Sequence, residues 1–83
     1  MKTININTAK YLQDYKILLE FDNMDTKVLD FEDLLKKTNY PNEKKYRDIN
    51  LFKQFKVEMG DLIFNDYDMC FQAKNLYKGI LRV

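Results

Sequence analysis

Tyr15, Ile17, Leu19 and Phe21 alternate with Lys16, Leu18, Glu20 and Asp22, and this unbroken period of two limits what the chain can become more than any other stretch. Successive side chains of a strand point to opposite faces, so the pattern predicts a half-buried strand over residues 14–22 with its aromatic and branched residues inward. One strand cannot bury such a face alone, so partners are expected on both sides. Upstream, Ile4, Ile6, Ala9 and Tyr11 give a weaker alternation, and Gln13-Asp14 supplies turn residues, which predicts an N-terminal strand paired with it. Downstream, Asp22-Asn23-Met24-Asp25 suits a hairpin turn, and Thr26, Val28 and Asp30 alternate with Lys27 and Leu29 as a short third strand.

Asp30 is placed to open a helix. Its carboxylate can accept from the free amides of a first turn, Glu32 and Asp33 suit the positive end, and Lys36 and Lys37 the negative end. Leu29 and Leu34 stand at the spacing of a hydrophobic staple, and Phe31, Leu34 and Leu35 form the buried stripe. Thr38-Asn39-Tyr40-Pro41-Asn42 then breaks the helix and predicts a surface loop, because proline disfavours helix in the residue before it.

The segment KKYRDINLFKQFKV, residues 44–57, interleaves five cations with three aromatic rings. Such a mixture would suit a phosphate backbone and stacked bases. It also reads as a helical turn capped by Asp48, running through Ile49, Leu51 and Phe52, followed by a strand in which Phe55, Val57 and Met59 share one face. Gly60-Asp61 fits a two-residue turn with glycine first, a register that sets Met59 opposite Leu62 and Val57 opposite Phe64. Phe52, Phe55 and Phe64 then have core positions. Lys44, Lys45, Tyr46 and Arg47 remain for a partner, and with Lys36 and Lys37 they make the candidate binding patch.

Past the turn at Asn65-Asp66-Tyr67-Asp68, the spacing of Phe71, Ala73, Leu76, Tyr77, Ile80 and Leu81 predicts a C-terminal helix lying on the sheet. The expected fold is therefore α+β: one small, mainly antiparallel sheet of about five strands in the order β-β-β-α-α-β-β-α, with short helices packed on it. A chain of 83 residues is expected to form a single domain, 1–83, of modest stability.

The order of these motifs resembles a bacterial family catalogued as domain of unknown function 2442. The resemblance runs from about Ile6 to Tyr77: Asp14-Tyr15 and the alternation ending in Phe21, Val28 and Asp30 leading to Leu34-Leu35, Arg47-Asp48, Leu51-Phe52, Phe55-Val57, and then Gly60, Ile63, Asp68 and Leu76-Tyr77. The chain departs from the family in lacking the glycine of the first hairpin turn at Asn23-Met24-Asp25. It also carries Phe64 where tryptophan is frequent, and lacks the proline before the last helix near Cys70-Phe71. The resemblance implies an α+β fold, no established catalysis and no catalytic residues to carry over. It also implies either a stand-alone protein or fusion to a DNA-binding helix-turn-helix, with a gene beside that of another small protein, as in toxin and antitoxin pairs. This chain, ending at Val83, is expected to stand without the DNA-binding domain.

The chemistry available in the sequence narrows the function classes. There is no histidine, no serine and no Gly-rich phosphate loop, so the common zinc, serine-hydrolase and nucleotide devices are absent. Cys70, the only cysteine, lies between Met69 and Phe71 and reads as a buried thiol, with no histidine to activate it. Asp66-Tyr67-Asp68 sets two carboxylates around a phenol, but lacks the glycine and distal glutamate of a calcium loop and reads as a polar turn. No enzyme activity, metal or cofactor is expected.

Charge is uneven although the net value is +1: residues 14–33 hold seven acids and two bases, residues 36–47 five bases and one acid. The opening MKTININTAK has no apolar run of signal-peptide length, and Ile17-Leu18-Leu19 is far too short to cross a bilayer, so a cytoplasmic location without membrane contact is expected. The sequence thus points to a small protein-interaction module, antitoxin-like if its family resemblance extends to gene pairing. A nucleic-acid-associated regulator using the basic loop at residues 36–47 is the alternative.

Overall fold

A computed structural model describes residues 4–65 and 68–81 of the chain. The alternation at 15–21 becomes β2, Lys16–Phe21, with Ile17, Leu19 and Phe21 fully buried. β1, Ile6–Tyr11, pairs with it antiparallel, and β3, Thr26–Asp30, pairs on the other side. β1 alternates poorly for a structural reason. A register irregularity between Ile6 and Thr8 inserts an extra residue, so the inward positions shift from Ile6 to Ala9 and Tyr11.

α1, Glu32–Lys37, follows at once, and the Asp30 carboxylate accepts from the Glu32 amide at 3.0 Å, as its position in sequence implies. The stretch after α1 is not the plain loop expected. Pro41 begins a second short helix, α2, Pro41–Lys44, which passes into a 3-10 turn, Lys45–Arg47. Proline fits the first helical position because its missing N–H would have no intrahelical partner there. Asp48 then caps α3, Ile49–Phe52, by accepting from the Asn50 amide at 2.9 Å.

The second half corrects two expectations. β4, Phe55–Glu58, and β5, Asp61–Phe64, pair with Val57 opposite Leu62 and Phe55 opposite Phe64. The turn is therefore Met59-Gly60, not Gly60-Asp61, and both residues take positive φ, 53° and 84°, as a type I′ turn requires. Moving the turn by one residue shifts the pairing by two, so Phe55, Val57, Leu62 and Phe64 keep a common face, while Met59 projects into solvent at 91% exposure. Holding Asp61 in the ladder lets its Oδ1 accept from the Ala73 amide at 2.9 Å, which anchors the start of α4, Ala73–Tyr77.

The second correction is a sixth strand. β6, Met69–Phe71, pairs antiparallel with β5 and buries Met69 and Phe71. Among the described residues the sheets are therefore two, each of three antiparallel strands, in the orders β1-β2-β3 and β4-β5-β6, with short helices beside them; the α+β class holds and the single five-stranded sheet does not. They meet where β1 runs beside β4, and the Ile6 amide donates to the Gly60 carbonyl at 2.8 Å.

Aromatic rings fill the space enclosed. Phe64 packs against Phe31, Phe52, Phe55, Phe71 and Tyr46 with centroids 5.4 to 6.2 Å apart. Phe31, at the junction of β3 and α1, also meets Phe52 and Phe71. No helix among the described residues is long and apolar enough to cross a membrane.

Phe64→Ala is expected to cost about 3 to 5 kcal/mol, close to the whole stability of a small domain, and to leave the chain largely unfolded in urea titrations followed by circular dichroism. Gly60→Ala meets two obstacles: its φ is +84°, and a Cβ there would lie 2.3 Å from Asn5 Oδ1. A loss of about 1 to 3 kcal/mol is expected, with part recovered in the double variant that also carries Asn5→Gly.

Candidate docking groove beside the basic segment

The six residues expected to form a partner patch divide into three groups. Tyr46 and Arg47 are committed to the fold. Tyr46 is not left free as expected: it is 2% exposed, stacks edge-on against Phe64, and donates its hydroxyl to Asp68 Oδ2 at 2.9 Å. Arg47 turns its guanidinium onto the end of α1, where Nε donates to the Leu35 carbonyl at 2.5 Å and Nη2 to the Lys36 carbonyl at 2.8 Å. Those carbonyls lack partners within the helix, so Arg47 does the work of a C-terminal cap. The carbonyl of Arg47 in turn accepts from the Tyr15 hydroxyl at 2.5 Å, tying the segment to the entry of β2.

Two lysines are paired but half open. Lys45 meets Asp68 at 2.5 Å, and Lys36 meets Glu32 at 3.0 Å one helical turn away. The Lys45 ammonium, the Tyr46 hydroxyl and the Asn65 amide all donate to Asp68, and together they hold its carboxyl below the usual carboxylate range. Asp68 thereby serves as the post to which the 3-10 turn is fastened. The glutamate bond raises the pKa of Lys36. Lys37 and Lys44 are exposed and form no ion pair with another described residue.

Lys37 borders an open groove of about 530 Å³ between α1, α2 and the segment Gly79 to Leu81. Leu34 and Leu81, half-buried against the core, supply its apolar lining, and Asp33, Thr38, Tyr40 and Glu43 its polar lining. Tyr40 stands out at 70% exposure. Its backbone is nevertheless fixed. The residue is extended, at φ −85° and ψ 125°, because Pro41 follows. Its carbonyl accepts from the amides of Glu43 and Lys44, each at 2.9 Å. Its amide donates to Thr38 Oγ1 at 3.3 Å, and that hydroxyl donates to Glu43 Oε1 at 2.6 Å. A rigid base thus presents an exposed ring beside aliphatic carbons and a cation, the composition that anchors protein interfaces.

In sequence Tyr40 reads as a loop residue; Pro41 after it carries the signal, because that proline both extends Tyr40 and starts α2. Asp66 and Tyr67 lie outside the described residues, and Oδ2 of Asp68 is turned to Lys45, Tyr46 and Asn65. Among the described residues no group of His, Cys, Asp or Glu is arranged to hold a metal ion. Cys70 is half-buried on the face of β6 away from Met69 and Phe71, and burial raises its thiol pKa, which leaves it a poor nucleophile. Comparison of the chain with family models, curated proteins and solved structures finds no match in any of the three.

Because the Asp68 carboxyl is depressed in the folded chain, its contribution to stability is fully present above the unfolded value of about 3.9 and is lost as pH falls through the lower folded value. Asp68→Asn is therefore expected to lower the melting temperature at pH 7 and to reduce its decline between roughly pH 4 and pH 2. Calorimetry across that range checks both effects; an unchanged acid limb would show that the Lys45–Asp68 pair contributes nothing.

Proposed function

We propose that this chain is a non-catalytic interaction module which takes a segment of another small protein into the groove beside Tyr40. The observation that carries the reading is the ring itself: a tyrosine 70% exposed on a hydrogen-bonded, proline-fixed backbone, next to Leu34, Leu81 and Lys37. With the backbone already held, binding costs Tyr40 only the freedom of its two side-chain torsions, so a large share of its contact energy goes into affinity. The bound segment would set an apolar side chain against Tyr40 and Leu34 and a carboxylate near Lys37 or Lys44. An antitoxin-like place in a two-gene pair rests on the resemblance to the family of unknown function 2442, carried by motif order from Ile6 to Tyr77.

The nucleic-acid reading draws less support. Of the five cations between residues 36 and 47, Lys36 and Lys45 are paired with carboxylates and Arg47 is bound to two carbonyls. Two remain, too few for a strong phosphate footprint.

The test is titration of the purified chain with the product of the neighbouring gene. Tyr40→Ala is expected to weaken binding by 2 kcal/mol or more, roughly thirtyfold, with the melting temperature unchanged. Lys37→Glu with Lys44→Glu is expected to slow association and to remove part of its salt dependence. Full affinity in both variants would place the partner elsewhere, and tight binding to duplex DNA at near-physiological salt would replace this reading with the other.

A further inference from the structure

The four outer edges of the two sheets are not equivalent. The β1 edge is irregular between Ile6 and Thr8 and runs beside β4, so those two edges face each other. β6 is only three residues long. β3 ends its sheet and carries no bulge and no proline. Natural proteins block such an edge with bulges, prolines or charges, or use it for pairing.

The direction of its free groups is fixed by its pairing with β2. Phe31 donates its amide to Tyr15 and Phe21 donates to Asp25, so the odd-numbered residues of β3 are those hydrogen-bonded to β2. The N–H and C=O of Thr26 and Val28 therefore point away from the sheet. Val28 is also 53% exposed, opposite Leu18 on the solvent face.

We propose that two copies of this chain pair antiparallel through β3 about a two-fold axis at Val28, joining their first sheets into one of six strands. Only even-numbered residues can exchange main-chain bonds across this edge, which leaves few registers, and charge selects among them. Sliding two positions one way sets Lys27 against Lys27 of the partner subunit, sliding four that way carries Val28 and Leu29 past the end of the partner's strand, and sliding four the other way sets Asp30 against the partner subunit's Asp30. The intermediate slide, with Leu29 opposite itself, pairs Val28 with the partner's Asp30 and loses the Thr26 contacts. With Val28 facing the partner subunit's Val28, Thr26 faces the partner's Asp30 and Lys27 the partner's Leu29, so no like charges are opposed. All five residues of the strand are then used. Leu18 and Val28 of both copies form one apolar row on the outer face. Lys27, which lies 5.1 Å over the Tyr77 ring, keeps that contact.

This association involves a different surface from the Tyr40 groove, so each can fail alone. The experiment is sedimentation from micromolar to millimolar protein, combined with oxidative cross-linking in a Cys70→Ala background. A concentration-dependent dimer is expected. Val28→Cys is expected to cross-link readily, since paired residues at such a position stand about 5.5 Å apart at Cα. Thr26→Cys alone is expected to react far more slowly, and Thr26→Cys with Asp30→Cys to recover the rate. Val28→Lys, which sets two cations face to face on an exposed position, is expected to raise the dimer dissociation constant about tenfold or more with an unchanged circular dichroism spectrum. Tyr40→Ala is expected to leave the dimer intact. A monomer throughout, equal cross-linking by Thr26→Cys and Val28→Cys, or undiminished dimer in folded Val28→Lys would overturn the proposal.

Discussion

The contact between Phe31 and Phe64 is the join on which the rest of the structure depends. Phe31 leaves the first sheet and enters α1; Phe64 ends the middle strand of the second sheet. Their rings meet edge to face at 6.2 Å, and Phe52 and Phe71 touch both. A chain this short has no second core in reserve, and rings supply the most buried area per residue. The main-chain bond from Ile6 to Gly60 links the two sheets elsewhere, but one hydrogen bond of about 1 kcal/mol cannot replace that packing.

Around the core, tyrosines act as ties between ring packing and polar anchoring. Tyr15 packs on Phe52 and donates to Arg47, Tyr46 packs on Phe64 and donates to Asp68, and Tyr77 packs on Phe21 and donates to Asp25. Two of these hydroxyls fasten the 3-10 turn, one to the entry of β2 and one to Asp68, and the third fastens α4 to the β2–β3 turn. The Asp25 carboxylate that accepts the Tyr77 hydroxyl raises the phenol pKa, because the bond favours the neutral phenol and its loss of a proton would set two anions side by side. Among the described residues no buried side-chain polar atom is left without a partner, so a hydrogen bond offsets the desolvation of each.

How much of this was legible in the sequence depended on whether a residue's role was local. The alternation through Phe21, the Asp30 carboxylate that accepts from the first turn of α1, the cap at Asp48, and the face shared by Phe55 and Phe64 follow from neighbours in sequence, and the structure has them. Arg47 and Tyr46 looked available because their partners, Leu35, Lys36, Asp68 and Phe64, stand 11 to 22 residues away, where no periodicity connects them. In sequence β6 merges with the helical pattern after it, since Phe71, Ala73 and Leu76 fit either element until Met69 is paired with Phe64. The Met59-Gly60 turn was misplaced by one residue because the deciding interaction, Asp61 with the Ala73 amide, is also non-local.

The same distinction explains where binding surface survives. A charge run invites a functional reading, yet the short helices between the sheets leave carbonyls and turns that need donors, and the nearest donors are the cations of that run. Arg47 is consumed at the end of α1 and Lys45 at Asp68, because a small α+β fold closes its polar periphery with what the local sequence supplies. Among the described residues those closures leave outside them the exposed ring of Tyr40, on backbone that Pro41 keeps extended, and the edge of β3, to which no further strand is paired. Tyr40 is held by the hydrogen bonds of its own turn and β3 by its pairing with β2, so surfaces that bury little apolar area are kept in shape by main-chain bonds.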